Sequence, residues 1–191
     1  MSRNRMLALF SVLVPVFFLM SSSASAAEPG TKKPGVGDHV PSYASTKCGG
    51  IEDGVAVGKT VCYTCRAGSE PIFYVFTREP SDSMVKLVKE IEAMVVARKE
   101  KKAAAVINFL GDPKDEKARQ HIADFGAKNS LRNVSLTMTA DGPKFVLSDD
   151  DEATVILFED GIIRLRTSFK RGKLDDKAIE SIVRESKAVL K

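Results

Sequence analysis

The residues of this sequence whose type and spacing point most directly to chemistry are Cys62 and Cys65, in the run Cys62-Tyr63-Thr64-Cys65. Two thiols at that spacing close a small disulfide, exchange it with another thiol, or hold a soft metal ion. Arg66 follows at once and Arg78 stands beyond the next apolar run. A cation beside either sulfur favours the thiolate, the form that attacks disulfides. A third cysteine, Cys48, has three roles open to it: a resolving thiol, an intermolecular link or a small buried side chain. With His39, the three cysteines make up a Cys3His donor set, although the two compact ligand pairs of a zinc module are missing. Arginine rather than histidine follows Cys65, which excludes the covalent haem motif.

The rest of the sequence offers no competing centre and no cofactor signature. It contains no nucleophile elbow, no phosphate-binding glycine loop and no helical H-E-x-x-H pair. The acidic run 149–152 lacks the alternating ligands and the glycine of a calcium loop, so it reads as a solvated turn. His121 falls on the surface of a predicted helix. Asn133-Val134-Ser135 matches a glycosylation sequon but lies inside a predicted strand. The chain carries 29 Lys+Arg against 25 Asp+Glu. Its basic run at 99–102 is balanced by the acidic one, so no concentrated positive face for nucleic acid is expected.

The N-terminus sets the redox compartment. Arg3 and Arg5 precede an apolar stretch over 7–20, and a small-residue segment ends in Ala24-Ser25-Ala26. This order predicts a secretory signal peptide over 1–26 and an exported protein, periplasmic or extracellular, with no membrane attachment after cleavage. Thiols there are kept oxidised. Residues 27–36 open a stretch rich in Gly, Pro, Ser, Thr and Lys, the composition of a flexible lead-in, and the domain is expected over 37–191. About 165 residues then remain, enough to bury a core without disulfides.

The elements that must position the cysteines follow from periodicity. Pro71-Ile72-Phe73-Tyr74-Val75-Phe76 is a continuous apolar run, the pattern of a strand buried on both faces. Pro80, Ser81 and Asp82 supply a helix start, after which Met84, Leu87, Val88, Ile91, Met94 and Val95 recur at helical spacing. A second buried strand spans 103–110 and ends at Gly111-Asp112-Pro113; a helix with Ala118, Ile122 and Phe125 on one face comes next. Val134, Leu136 and Met138 alternate with polar residues and predict a half-exposed strand. Runs 154–158 and 162–167 flank Glu159-Asp160-Gly161, a hairpin turn. Asp175 or Asp176 caps a last helix that carries Ala178, Ile179, Ile182, Val183 and Val189.

This order resembles the thioredoxin-like superfamily, in the variant of the alkyl hydroperoxide reductase and thiol-specific antioxidant proteins. Gly37-Asp38-His39-Val40-Pro41-Ser42-Tyr43 is similar to the G-D-x-V-P-x-F opening of exported members. The run 153–161 resembles the strand and turn that follow the family's cis-proline. Cys62-Tyr63-Thr64-Cys65-Arg66-Ala67-Gly68 resembles the C-x-x-C segment, with its basic-x-Gly continuation, of small exported bacterial thioredoxin-like proteins of unassigned function. The resemblance implies an α/β three-layer sandwich, a mixed central sheet with helices on both faces, and a protein thiol or disulfide as partner.

Two departures stand beside these matches. The family places its nucleophilic cysteine after the first core strand, at a helix N-terminus that stabilises thiolate; here residues 77–82 contain no cysteine, which argues against peroxidase activity. The cis-proline aligns with Ala153. Cys62 and Cys65 stand before the strand, where no helix terminus is expected to help them. They are the candidate redox pair of a thiol-disulfide exchange protein. The alternative is a non-catalytic binding module with a structural disulfide, whose partner surface is the fold's usual active-site edge; a Cys-rich metal-binding protein is the third reading.

Overall fold

The structure is a computed structural model that describes residues 33–190 apart from residue 146. The expected signal peptide lies outside the described residues, as does most of the lead-in. The chain forms β1 (Ser45–Gly50), β2 (Thr60–Val61), α1 (Tyr63–Ala67), β3 (Ile72–Thr77), α2 (Asp82–Ala97), β4 (Ala104–Leu110) and α3 (Glu116–Lys128). It continues with β5 (Ser135–Thr139), β6 (Asp151–Glu159), β7 (Ile162–Lys170) and α4 (Asp176–Val189). Among the described residues, the seven strands join one sheet in the order β2-β1-β5-β4-β3-β6-β7. β3, β4 and β5 are parallel neighbours, and β1 and β6 flank them in antiparallel pairing.

The sheet is buried on both faces because the alternating side chains of β3 feed two separate cores. Phe73 and Val75 join one core with Leu87 and Ile91 of α2, Ile122 and Phe125 of α3, and Ile179 and Ile182 of α4. Ile72, Tyr74 and Phe76 join the other, with Tyr43, Phe145 and the α1 residues Tyr63 and Ala67. Three long helices thus cover one face. The other face carries α1, the chain around Tyr43 and a 3-10 turn at Gly142–Phe145. Burying each of these large apolar side chains contributes roughly 1.5–3 kcal/mol. Phe73, Tyr74 and Val75 are fully shielded, so β3 forms the centre of both layers.

The helix starts arise from side-chain capping. Ser81, Asp115 and Asp175 each accept the backbone N–H three residues on, from Met84, Ala118 and Ala178, which satisfies one of the free donors at a helix N-terminus. The β6–β7 hairpin turns at Asp160 and Gly161, with φ of 55° and 71°. Both values are positive, as a two-residue turn matched to strand twist requires.

One sequence expectation is corrected. β5 is buried along its whole length rather than half-exposed, because it lies inside the sheet between β1 and β4. Its polar side chains survive burial because each has an acceptor: Asp53 for Ser135, Asn108 for Thr137 and the Ala44 carbonyl for Thr139. The segment 37–40, placed at the domain opening, adds to the far edge of the sheet. Gly37 and Val40 donate to the carbonyls of Ile163 and Gly161, and Ile163 donates to Asp38.

Candidate functional site

α1 turns Tyr63 and Ala67 inward and Cys65 outward. Cys62 and Cys65 form a disulfide with a Cα–Cα distance of 5.3 Å. Cys65 is exposed and Cys62 half-buried. Cys62 is the N-cap of α1, and its Sγ accepts the Cys65 backbone N–H at 3.1 Å. The sequence reading denied the pair any helix terminus; the structure supplies one turn of it. A five-residue helix has little macrodipole, so the help is the local hydrogen bond rather than a long-range field.

The two residues between the cysteines are anchors. Tyr63 is buried, and its hydroxyl donates to Asp53 Oδ2 at 2.8 Å. Thr64 Oγ1 lies 2.8 Å from the Tyr74 hydroxyl of β3 and donates to the Pro41 carbonyl at 3.2 Å. Arg66, next after the pair, donates through Nη2 to the Asp53 carbonyl at 2.9 Å. Ala67 completes the inward face.

Asp53 gathers these contacts. Besides Tyr63, its carboxylate receives Ser135 Oγ at 2.6 Å, Lys47 Nζ at 2.5 Å and the Val55 N–H at 3.0 Å. The Lys47 side chain is 3 % exposed and that of Asp53 19 %; Lys47 also donates to the Ile51 carbonyl. Burial raises the Asp53 carboxyl, but the hydrogen bonds from Lys47, Ser135 and Tyr63 outweigh it and hold the group at about 2. Burial pushes the Tyr63 phenol well up, and the neighbouring carboxylate adds to that, so it stays a donor at neutral pH. Sequence reading missed Asp53, Lys47 and Ser135. The signal was faint: a lysine in a strand and a hydroxyl at every second position of β5.

The remaining candidates are not brought to this site. Cys48 of β1 packs in the core on the other face, among Ile122 and Phe125. Burial pushes its thiol up to about 11 despite Arg119 nearby, which disfavours the thiolate that a resolving or ligating sulfur needs. His39 pairs with Ile162 at the β7 edge, whereas Cys62 follows β2 at the opposite edge. Among the described residues no group of three His, Cys, Asp or Glu side chains is placed to hold a metal ion. Arg78 is bound to Asp149 at 2.6 Å, beyond β3, and does not serve the sulfurs. His121 is exposed on α3.

The position that the family uses for chemistry is occupied differently. After β3, Thr77 Oγ1 donates to the carbonyls of Glu79 and Glu152, both at 2.9 Å. Ser81 Oγ donates to Glu152 Oε1 at 2.7 Å while capping α2. Ala153 pairs with Thr77 in regular antiparallel register. A cleft of about 720 Å3 opens at this end of the sheet, lined by Arg78, Leu110, Asp112, Thr139, Leu147 and Asp149 among others. No cysteine reaches it.

No protein-family model and no curated protein sequence matches the chain. Solved structures do match its architecture. One is from Chlorobium tepidum, provisionally assigned as the thiol:disulfide interchange protein DsbE, with a TM-score of 0.59 and 16 % identity over 83 % of this chain and 99 % of that one. The peroxidoxin BcpB from Mycobacterium tuberculosis matches with a TM-score of 0.60 and 14 % identity, covering 82 % and 98 % of the two chains. AhpC of Mycobacterium bovis matches with 0.59 and 10 %, over 82 % and 98 %. At such identities the likeness is one of fold. The chain therefore has a thioredoxin-like fold, the one it shares with these thiol:disulfide interchange and alkyl hydroperoxide reductase-type structures.

Proposed function

We propose that this protein carries out thiol-disulfide exchange through Cys62 and Cys65, in the oxidising compartment to which its N-terminal sequence directs it. The observation that carries the reading is the division of labour in α1. Tyr63, Thr64, Arg66 and Ala67 hold the helix in place, and Cys65 is left at the surface with Cys62 half-buried beside it. A disulfide closing so short a loop adds only about 2 kcal/mol by chain entropy, and here the helix it spans is already fixed by other bonds. Reduction therefore leaves the site in place.

The exchange runs in balanced steps. A partner thiolate attacks the exposed Cys65 Sγ, the Cys62–Cys65 bond breaks, and Cys62 leaves as a thiolate that accepts the Cys65 N–H. A second thiolate of the partner then attacks its own sulfur in the mixed disulfide and releases Cys65. The partner departs with a disulfide and the pair holds the two electrons. With a partner disulfide of higher potential the same steps run backwards, Cys65 attacking and Cys62 resolving.

The competing reading, a binding module with a permanent disulfide, draws on the cysteine-free cleft at the far end of the sheet. One experiment separates them. An active pair equilibrates with glutathione at a potential well above about −300 mV, below which structural disulfides lie. Cys62→Ser then accumulates a mixed disulfide on Cys65, and Cys65→Ser does not. A potential below that limit, with no adduct on either variant, overturns the exchange reading.

A further inference from the structure

We infer that Asp53 is the positioning residue of the dithiol, setting how strongly Cys62 and Cys65 favour the closed disulfide by clamping α1 through Tyr63. The inference deepens the exchange reading and rests on the pair opening and closing in solution.

Three observations carry it. First, Asp53 touches the site twice: its carboxylate takes the hydroxyl of Tyr63, the residue directly after Cys62, and its carbonyl takes the guanidinium of Arg66, the residue directly after Cys65. The clamp brackets the pair. Second, Asp53 is itself fixed from the sheet, by Lys47 of β1 at 2.5 Å and Ser135 of β5 at 2.6 Å, with the Val55 N–H closing the loop. A carboxylate held by three side chains and a backbone donor has almost no freedom to follow α1 if the helix shifts. Third, the hydrogen bonds of that network run to Tyr63 and Arg66 and none of them ends on a sulfur, so its influence on the thiols passes through the placement of α1.

The consequence follows from reciprocity. A dithiol closes in proportion to the effective concentration of one sulfur at the other, and that rises when both are held at bonding distance. The clamp holds them so before the bond forms. Whatever the clamp adds to the disulfide, the disulfide adds to the clamp. Removing the Tyr63 hydroxyl or the Asp53 charge loosens the same element, so the two losses overlap rather than add.

The test compares wild type, Asp53→Asn, Tyr63→Phe and the double variant in glutathione buffers, quenched with an alkylating reagent and read by the oxidised fraction of the 62–65 peptide. Each single variant is expected to move the equilibrium toward the dithiol about tenfold, or ~30 mV, and the double variant no further than the larger single shift. Ile182→Val, in the core on the other face, lowers the melting temperature and leaves the equilibrium in place, which separates positioning from general loss of stability. A shift of less than about twofold, a shift toward the disulfide, or an additive double variant overturns the inference. If Asp53→Asn does not fold, Tyr63→Phe decides alone, since it keeps the ring packing. If the wild-type pair does not equilibrate with glutathione, the exchange reading fails, and a series of stronger dithiol reductants still measures the difference between wild type and variant.

Discussion

Two regions of this molecule flank β3, and each holds what the other lacks. The loop after β3 leads into α2, a capped helix of 16 residues, and has a cleft beside it, yet it contains no thiol. The segment before β3 has both thiols but only a five-residue helix. Long-range help for a thiolate and the thiols themselves are thus separated by the central strand. The pair depends instead on one local N–H and on side-chain anchors. The loop after β3 is not a vacant copy of an active site either. Ser81, at the cap of α2, donates to Glu152 at 2.7 Å, so a sulfur anion there meets a carboxylate.

The largest break in this arrangement comes from Lys47. Lys47→Met leaves the Asp53 carboxylate without its cation beneath α1, and removing one partner of a buried pair costs about 3 kcal/mol. Urea unfolding measures it. A loss under about 1 kcal/mol, the size of an exposed pair, means that Lys47 and Asp53 do not act as a buried unit.

The loop after β3 gives the next test. In a background with Cys62 and Cys65 both changed to serine, Ser81→Cys puts a thiol at the α2 cap. Its pKa is expected to fall when Glu152→Gln is added, because the carboxylate opposes the thiolate there. Alkylation rate against pH reads both. Equal profiles mean that Glu152 plays no part in silencing the position. Neither the wild type nor the single Ser81→Cys protein is expected to turn over hydrogen peroxide efficiently with a thiol reductant. Turnover in the wild type that Cys62→Ser abolishes reverses the assignment of roles to the two regions.

A smaller effect sharpens their independence. Ser81→Ala removes the α2 cap and the bond to Glu152, for a loss of about 1 kcal/mol, and leaves the glutathione equilibrium of the 62–65 pair unchanged. A shift in that equilibrium shows coupling through β3.

What was legible in the sequence follows the length of the repeating pattern. β3 announced itself by six apolar residues in a row, α2 by about three turns of regular spacing, and the β6–β7 hairpin by Asp160-Gly161. The pair at Cys62 and Cys65 was visible by type. Its setting was not, for physical reasons. α1 is too short to show a period, and β1 has the residues Ser-Thr-Lys-Cys-Gly-Gly, whose weak strand preference is overridden by pairing to β2 and β5. Asp53 sits in Ile51-Glu52-Asp53-Gly54, too short a run to show a period. Only the fold brings it to Tyr63 and to Ser135, 82 residues further along the chain. β5 misled most: its buried hydroxyls read as solvent contacts because their acceptors lie on distant segments.

The smallest expected effect is a change of slope with pH, and it isolates the charge on Asp53. Its folded pKa is about 2, below the roughly 3.9 of an unfolded aspartate. The folded state therefore holds the ionised form more tightly, and the stabilisation is fully present above about pH 5 and lost as pH falls through 4 toward 2. Asp141 and Asp151 are also lowered, by the Ala44 N–H bond and by Lys170 against burial, so the wild type alone does not single out Asp53. The difference between wild type and Asp53→Asn does, since the other carboxylates are common to both. Melting temperatures at pH 5, 4, 3 and 2 are expected to converge as the wild-type carboxylate takes up its proton. Because protonated Asp53 releases Lys47 and weakens the Tyr63 bond, the disulfide equilibrium of the wild type converges on that of the variant over the same window. A gap between the two proteins that stays constant down to pH 2 means that the contacts of Asp53 do not depend on its charge, and that the clamp on α1 is a matter of shape.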